Sequence, residues 1–186
     1  MNTTTIAPVA TVTLRRLVAP TEAEIAALAE VLIDCVEGGA SVSFMQPLPR
    51  ERALAFWREV AAGAVRGERV LVVAEDAQGI VGTVQLVLAQ PENQPHRADL
   101  AKMLVHRRAR RQGLGAALMR AAEQAARDAG KTLLVLDTSS AEAERLYARL
   151  GWQRVGTVPG YALWPAGGLC GTTFFYRELG REPAPA

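Results

Sequence analysis

The sequence predicts one α/β domain built on a single mixed, mostly antiparallel sheet. Three observations carry that expectation. Two β-rich runs, RVLVVAE from Arg69 to Glu75 and GIVGTVQLVLAQ from Gly79 to Gln90, are separated only by Asp76, Ala77 and Gln78, the spacing of an antiparallel hairpin. TLLVLD, Thr132 to Asp137, is short and almost wholly apolar, as strands covered on both faces are. Stretches with helical spacing lie among the strands, with no repeat and no low-complexity block, so helices are expected to cover the sheet.

Each element has its own signal. Thr11 to Leu17 alternates, with Val12 and Leu14 on one face, and Thr21 followed by Glu24 makes a capping box for a helix. In that helix Ile25, Leu28, Ala29, Leu32 and Val36 keep helical spacing until Gly38 and Gly39. GGASVSFMQPLP, Gly38 to Pro49, has no period and is long enough to suspect a function. A second helix is expected after Pro49, with Leu54, Trp57, Ala61 and Ala64 on one stripe. After the hairpin and the polar link PENQPHR, Ala98 to Val105 reads as a strand, and Leu114 to Ala129 as a helix ended by Gly130. Ala141 to Leu150 is helical, with Gly151 at its end, and β signal returns in WQRVGTV and TTFFYREL. About four helices flank the sheet on this reading. Residues 1–10 read as an N-terminal extension, 11–180 as the domain and 181–186 as a flexible tail.

Composition excludes several function classes. A chain of 186 residues with 49% hydrophobic content suits one core. Its net charge of +2 gives no polyelectrolyte character to hold nucleic acid or anionic lipid. The N-terminus has no apolar signal region, and no apolar run nears the roughly 20 residues of a membrane span, so a cytoplasmic protein is expected. Cys35 and Cys170 form no CxxC pair and have no His in ligand spacing, so buried reduced thiols are expected and no metal.

One segment stands out. VHRRARRQGLGAALM places Arg107, Arg108, Arg110 and Arg111 directly before Gly113 and Gly115, where a helix is expected to begin. Unpaired N–H groups at a helix start stabilise an anion, and glycines let it approach. A Walker loop fails, because no Gly-x-x-x-x-Gly-Lys-Ser/Thr exists. A dinucleotide fingerprint fits poorly: Leu118 stands at the third glycine, and His106 to Gln112 intervene between strand and first glycine. A nucleic-acid patch would want interleaved aromatics and a wider basic face. A merely solvated loop leaves the paired glycines unexplained.

Arg110-Arg111-Gln112-Gly113-Leu114-Gly115 has the Arg/Gln-x-x-Gly-x-Gly/Ala form of the GNAT superfamily of N-acetyltransferases, which the chain resembles. The family's downstream helix, often Asn-x-x-Ala-x-x-Leu-Tyr-x-x-x-Gly-Phe, is matched by Ser140 to Trp152, with Ser140 replacing the common Asn. The ending PGYALWPAGGLCGTTFFYREL and the stretch GGASVSFMQPL resemble the tabtoxin-resistance type of acetyltransferase. The resemblance implies a GNAT-like fold with a splayed strand pair and acetyl-CoA as cosubstrate. It also implies transfer of acetyl to a primary amine of a small molecule, amino-acid-like or antibiotic- or toxin-like. The cofactor residues it implies are Met103, Leu104, Val105, Arg110, Arg111, Gln112, Gly113, Leu114, Gly115, Ala116 and Ser140. Exposed Arg107, Arg108 or Arg111 are expected to screen a ribose phosphate, and the amide of Leu104 is the expected partner of the thioester oxygen.

Acetyl transfer requires a neutral amine, a polarised carbonyl and a proton for the thiol leaving group. The resemblance makes Tyr147 the acid candidate; from spacing alone it is equally a packed aromatic. Asp99 and Asp137, at the start and end of neighbouring strands, are the candidate bases or electrostatic holds on the amine, with a helix or turn cap the alternative for Asp137. His96 and His106 can also take a proton, although both read as loop residues. Ser41, Phe44, Met45 and Tyr161 are the expected acceptor wall, with loop packing as the alternative. A non-catalytic acyl-CoA sensor and a protein acetyltransferase remain open, and strands near the C-terminus are able to pair two copies into a homodimer.

Overall fold

A computed structural model describes residues 12–180. The extension at 1–10 and the tail at 181–186 lie outside the described residues. The elements run β1 (Thr13–Leu17), α1 (Glu22–Glu37), α2 (Arg50–Val65), β2 (Arg69–Asp76), β3 (Gly79–Val87), β4 (Arg97–Val105), a short 3-10 turn (Arg107–Ala109), α3 (Leu114–Asp128), β5 (Leu133–Thr138), α4 (Ala141–Arg149), β6 (Gln153–Leu163) and β7 (Leu169–Glu178). They form the mixed α/β sheet with four helices that the sequence predicts. Among the described residues seven strands lie in the order β1-β2-β3-β4-β5-β7-β6, and of these only β4 and β5 pair in parallel.

Local chemistry explains the helix starts. Thr21 accepts from the N–H of Glu24 at 3.3 Å while the Glu24 carboxylate accepts from the N–H of Thr21 at 2.8 Å, so both orphan donors are paired. Ser140 caps α4 by accepting from the N–H of Ala143 at 3.2 Å. The apolar stripes of α1 and α2, including Leu28, Leu32 and Trp57, pack on one face of the sheet with Leu71 and Val73. On the other face Leu118, Met119 and Ala122 of α3 join Val70, Val72, Leu134 and Tyr147. Cys35 and Cys170 are buried free thiols.

Strand ends depart from the sequence reading for visible reasons. β3 stops at Val87 because the N–H groups of Leu88 and Ala89 turn to the Glu68 carbonyl. WQRVGTV predicts only the first half of β6, which continues through Pro159 and Gly160 to Leu163. Its register with β7 breaks between Val158 and Ala162. A strand interior excludes proline when both edges bond, but β6 is the sheet edge and loses nothing by it.

One buried polar cluster holds the α3 face together. Glu123 accepts from the Trp152 indole N–H at 2.9 Å, and Arg177 Nε lies 3.3 Å from its other oxygen. Arg177 also donates to the Leu150 carbonyl, which ties the end of α4 to β7. Glu123→Ala leaves an indole donor unpaired and a mostly buried guanidinium without its counter-charge, so unfolding free energy should fall by about 3 kcal/mol. Urea titration followed by circular dichroism checks this; a midpoint shift worth less than about 1 kcal/mol contradicts it.

Candidate active site

The site begins where β4 and β5 part. Their parallel ladder holds for three pairs, Arg97 with Leu133 through Asp99 with Val135, and then ends. On the other side β4 carries an extra residue against β3, since Thr83 faces Leu104 while Gln85 faces Ala101. Lys102 takes φ 50° inside that bulge, a left-handed conformation that costs a non-glycine residue about 1 kcal/mol or more. The bulge increases local twist and turns the end of β4 away from β5.

Ladder alternation decides which amide faces the gap. The His106 N–H donates to the Val81 carbonyl at 2.8 Å, so in this register Leu104 and Thr83 form the next hydrogen-bonded pair. The amide expected to meet a thioester oxygen, that of Leu104, is therefore turned to β3. Val105 is the residue whose N–H points away from β3 into the splay. Met103 and Val105 also face the α3 side of the sheet, whereas Leu104 packs with the α1 and α2 core.

Past the 3-10 turn, the chain reaches α3 through two left-handed residues, Arg111 at φ 62° and Gly113 at φ 80°. Gly113 occupies the N-cap position and supplies no side-chain cap, so the first N–H groups of α3, at Leu114, Gly115 and Ala116, are left to an external acceptor. A Cβ on Gly115 would stand 3.0 Å from Leu146 Cδ2 and 3.9 Å from Met103 Sδ, which shows how closely α3, α4 and β4 converge here. Concave backbone with unpaired N–H groups and no side chain at Gly113 or Gly115 fits a pyrophosphate.

The arginines divide by partner. Arg107 is bound to Asp34 through its Nε at 2.8 Å and its own N–H at 2.8 Å, and Arg108 pairs with both oxygens of Asp76. Burial works against the charge of Asp34, yet the two bonds from Arg107 hold its carboxyl below the usual range. Arg110 turns inward, donating to the Val105 carbonyl at 3.1 Å and lying 3.9 Å from Cys35 Sγ, so its side chain braces the strand end. The expectation that Arg107 and Arg108 screen a ribose phosphate is thus corrected: both are committed within the fold. Arg111 is exposed and enters no ion pair among the described residues. Gln112 reaches the Arg108 carbonyl at 3.5 Å and is exposed.

Beyond the splay lies a cavity of about 290 Å³ whose lining includes Ser41, Ser43, Phe44, Met45, Asp137 and Tyr161. The four expected wall residues and one of the two expected carboxylates are brought together there. The Gly38–Pro49 loop is fastened to the last hairpin by Ser41 Oγ to the Leu163 carbonyl at 3.0 Å and by the Gln46 N–H to the Pro165 carbonyl at 3.0 Å. Phe44 meets Phe56 edge to face at 5.3 Å, and Tyr161 meets Phe174 the same way at 5.6 Å. A shallower hollow of about 370 Å³ behind the loop, lined by Glu37, Gln46, Pro47 and Ala166, contains none of the splay residues.

The candidate acids and bases separate clearly. Asp137 sits on β5 beyond its pairing with β4, opposite Phe174 of β7; crowding by protein raises its pKa, Lys102 opposes the rise and Asp99 adds to it. Its alternative role as a cap is filled by Ser140. Asp99 stands where the two strands still pair, 3.5 Å from Arg97 Nη1 and 3.3 Å from Gln90 Nε2. His106 accepts from the Arg108 N–H and lies 3.6 Å from Asp34, and His96 is in the exposed loop before β4, so neither histidine lines the cavity. Tyr147 is 4% exposed, packed 5.7 Å from Phe175 and 6.1 Å from Trp152. Burial, reinforced by Asp137, pushes its phenol well above the ordinary value, so it is protonated throughout the physiological range. Both expected roles, packing and proton donation, remain compatible with that position. Lys102, absent from the sequence expectations, reaches Ser43 Oγ at 3.2 Å on the cavity rim. A single lysine inside the apolar run ADLAKMLV was the signal that could have found it.

Among the described residues no helix is long and apolar enough to cross a membrane. Residues 66–154 match the family model described as acetyltransferase (GNAT) domain. The N-acetyltransferase 8B of Rattus norvegicus is 36% identical over 100 residues, covering 52% of this chain and 45% of that protein. The chain thus spans about half the length of the curated relative it matches. A GNAT superfamily phosphinothricin acetyltransferase from Sinorhizobium meliloti in complex with acetyl-CoA superposes with TM-score 0.75 at 19% identity, over 95% of this chain and 92% of that one. A ribosomal-protein-alanine N-acetyltransferase from Brucella melitensis does so with TM-score 0.74 at 23% identity, over 90% and 99%. The described chain has the GNAT fold, and its residues 66–154 are similar to acetyltransferase (GNAT) domains.

Proposed function

We propose that the chain transfers acetyl from acetyl-CoA to a primary amine of a small molecule, by direct transfer within the splay. The observation that carries this is the occurrence together of three features: uncapped N–H groups at the start of α3, a Val105 amide turned away from β3 where β4 leaves β5, and a cavity with Asp137, on β5 beyond its pairing with β4, in its wall. On this reading Leu114, Gly115 and Ala116 hold the pyrophosphate through backbone N–H groups, while Arg111 meets the ribose phosphate. Ser140, already the α4 cap, has its hydroxyl proton left for a cofactor contact.

Acetyl-CoA supplies an activated thioester. The chain's residues do the rest. Val105 N–H donates to the carbonyl oxygen and stabilises the negative charge that grows there. Asp137, directly or through a water, takes the proton of the attacking amine, and its raised pKa makes it a better base than an ordinary aspartate. Asp99 acts at longer range through its charge. Tyr147 donates a hydrogen bond to the departing sulfur; because its pKa is raised, it stabilises the thiolate as a donor more readily than it releases its proton. Ser41, Phe44, Met45 and Tyr161 shape the acceptor cavity, with the toxin-resistance type of substrate as one member of the class. The reading includes a cytoplasmic enzyme, and pairing of two copies at the exposed apolar side chains of the last hairpin, Val155 and Leu169 among them.

Free-thiol release from acetyl-CoA over a panel of amino acids, polyamines, aminoglycosides and β-lactam amino acids tests the reading. Turnover with at least one small amine is expected. Acetyl-CoA binding without turnover on any amine or peptide would mean a sensor, and turnover on peptides alone a protein acetyltransferase. Tyr147→Phe keeps the ring that packs on Phe175 but removes the donor, so kcat should fall about 10- to 100-fold with acetyl-CoA affinity nearly unchanged. Unchanged kcat in steady-state assays would return the phenol to a packing role.

A further inference from the structure

Lys102 has no task in the scheme above, and its placement is costly. Among the described residues three non-glycine positions have left-handed backbones, and two of them, Lys102 at φ 50° and Ser43 at φ 77°, face each other with Nζ to Oγ at 3.2 Å. Strain of this kind persists where the surrounding structure requires the geometry, most often at a ligand site. The bulge sends the lysine stem over the Phe56 ring, with Nζ 5.6 Å from its centroid, toward the cavity rim formed by Ser43.

Asp137 lies on the wall of the same cavity. The two charges influence each other only through space, with no hydrogen bond between them. A cation that reaches Ser43 of the cavity and an anion in its wall thus stand apart, with Ser41, Ser139 and Thr172 also in the lining. An acceptor carrying both an amine and an acid matches both at once. A polyamine or aminoglycoside would bring more positive charge to Lys102, and a neutral amine would leave a partly buried ammonium without a counter-charge.

We propose that the acceptor is a zwitterion, an amino acid or amino-acid-like compound whose amine is held at Asp137 and whose carboxylate is held by Lys102 and the Ser43 hydroxyl. Lys102 is then a specificity-determining residue for the acetyl transfer proposed above, on which this inference rests. Burial, with Arg69 adding to it, lowers the Lys102 pKa against the opposing charge of Asp137; a bound carboxylate reverses that penalty. The balance is simple. The amine nitrogen forms a bond to the acetyl carbon, the carbon–sulfur bond breaks, one proton leaves the amine and one reaches the thiolate, and the carboxylate is unchanged.

The test compares three forms of each acceptor, the free amino acid, its amide and the decarboxylated amine, at saturating acetyl-CoA with free thiol as readout. Wild type should prefer the acid by about 10- to 100-fold in kcat/KM, the worth of one charge-assisted hydrogen bond. Lys102→Met should raise KM for the acid about tenfold or more and change the amide far less, because the loss of the Lys102 charge beside Asp137 acts on both forms alike. Dividing the acid-to-amide ratio of wild type by that of the variant cancels differences in amine basicity. Lys102→Gln, with acetyl-CoA affinity by calorimetry as the check of folding, repeats the comparison should Lys102→Met misfold. Equal use of all three forms by wild type, or an equal loss on all three in a folded variant, overturns the zwitterion. Absence of turnover on every amine and peptide instead overturns acetyl transfer itself, and the zwitterion with it.

Discussion

Gly115→Glu should abolish acetyl-CoA binding, with at least a 100-fold loss of affinity by calorimetry, about 2.7 kcal/mol. Two effects add. The new side chain must leave α3 at its first turn, where a bare Cβ already stands 3.0 Å from Leu146 Cδ2. With Leu146 and Met103 beside it, the side chain is expected to crowd the mouth of the loop, the space a pyrophosphate would occupy. Its carboxylate also accepts from the open N–H groups of Leu114 and Ala116 and opposes an incoming anion, because a helix start favours negative charge of any source. The same attraction protects the fold, since a glutamate in the first turn of a helix is stabilising. Gly115→Ala separates filling from charge: Leu146 is a flexible neighbour and can shift by a few tenths of an ångström, so affinity should fall far less. Wild-type affinity in a folded Gly115→Glu protein would remove the phosphate from this loop altogether.

The turn into α3, with its uncapped start, was legible in sequence because its information is contiguous. Two glycines, their arginines and the following helical period lie within Arg107 to Ala116 and need no partner from elsewhere. The same holds for the elements, whose boundaries came from local capping and periodicity, and it fails where the decisive contact is distant. Arg107 and Asp34 are 73 positions apart and Arg108 and Asp76 are 32, so nothing nearby in the sequence shows that these guanidinium groups are already spent. The second half of β6 was hidden by Pro159 and Gly160, which break a central strand but are tolerated at the edge that tertiary structure makes of it. The Leu104 amide was misassigned because ladder alternation depends on the register with β3, a long-range fact. Lys102 escaped for a related reason: in a regular strand a side chain's direction follows from parity, and a bulge with positive φ resets parity without leaving a mark in composition.

Asp137→Asn separates the remaining roles of the carboxylate. Ser140 is the α4 cap, so loss of a cap is no longer an explanation for any effect of this substitution. If the carboxylate takes the amine proton, turnover at neutral pH should fall about 10²- to 10⁴-fold, the usual contribution of a positioned base. The pH profile carries the sign. Asp137 works as its anion, and crowding, together with Asp99, raises its pKa despite the nearby Lys102, so wild-type kcat/KM should drop as pH falls at a higher pH than an ordinary aspartate would impose. In the Asn variant that limb disappears, and rate should climb with pH as solvent supplies free amine, recovering part of the loss near pH 10. Asp99→Asn ranks the second acid: held by Arg97 and Gln90 where the strands are still paired, it should change the rate only a few-fold. Flat kinetics in both variants from about pH 6 to about pH 10 would take carboxylates out of proton transfer. Since neither histidine lines the cavity, bulk water would then be the acceptor of the proton, and Asp137 would be left as a charge that acts through space on Lys102.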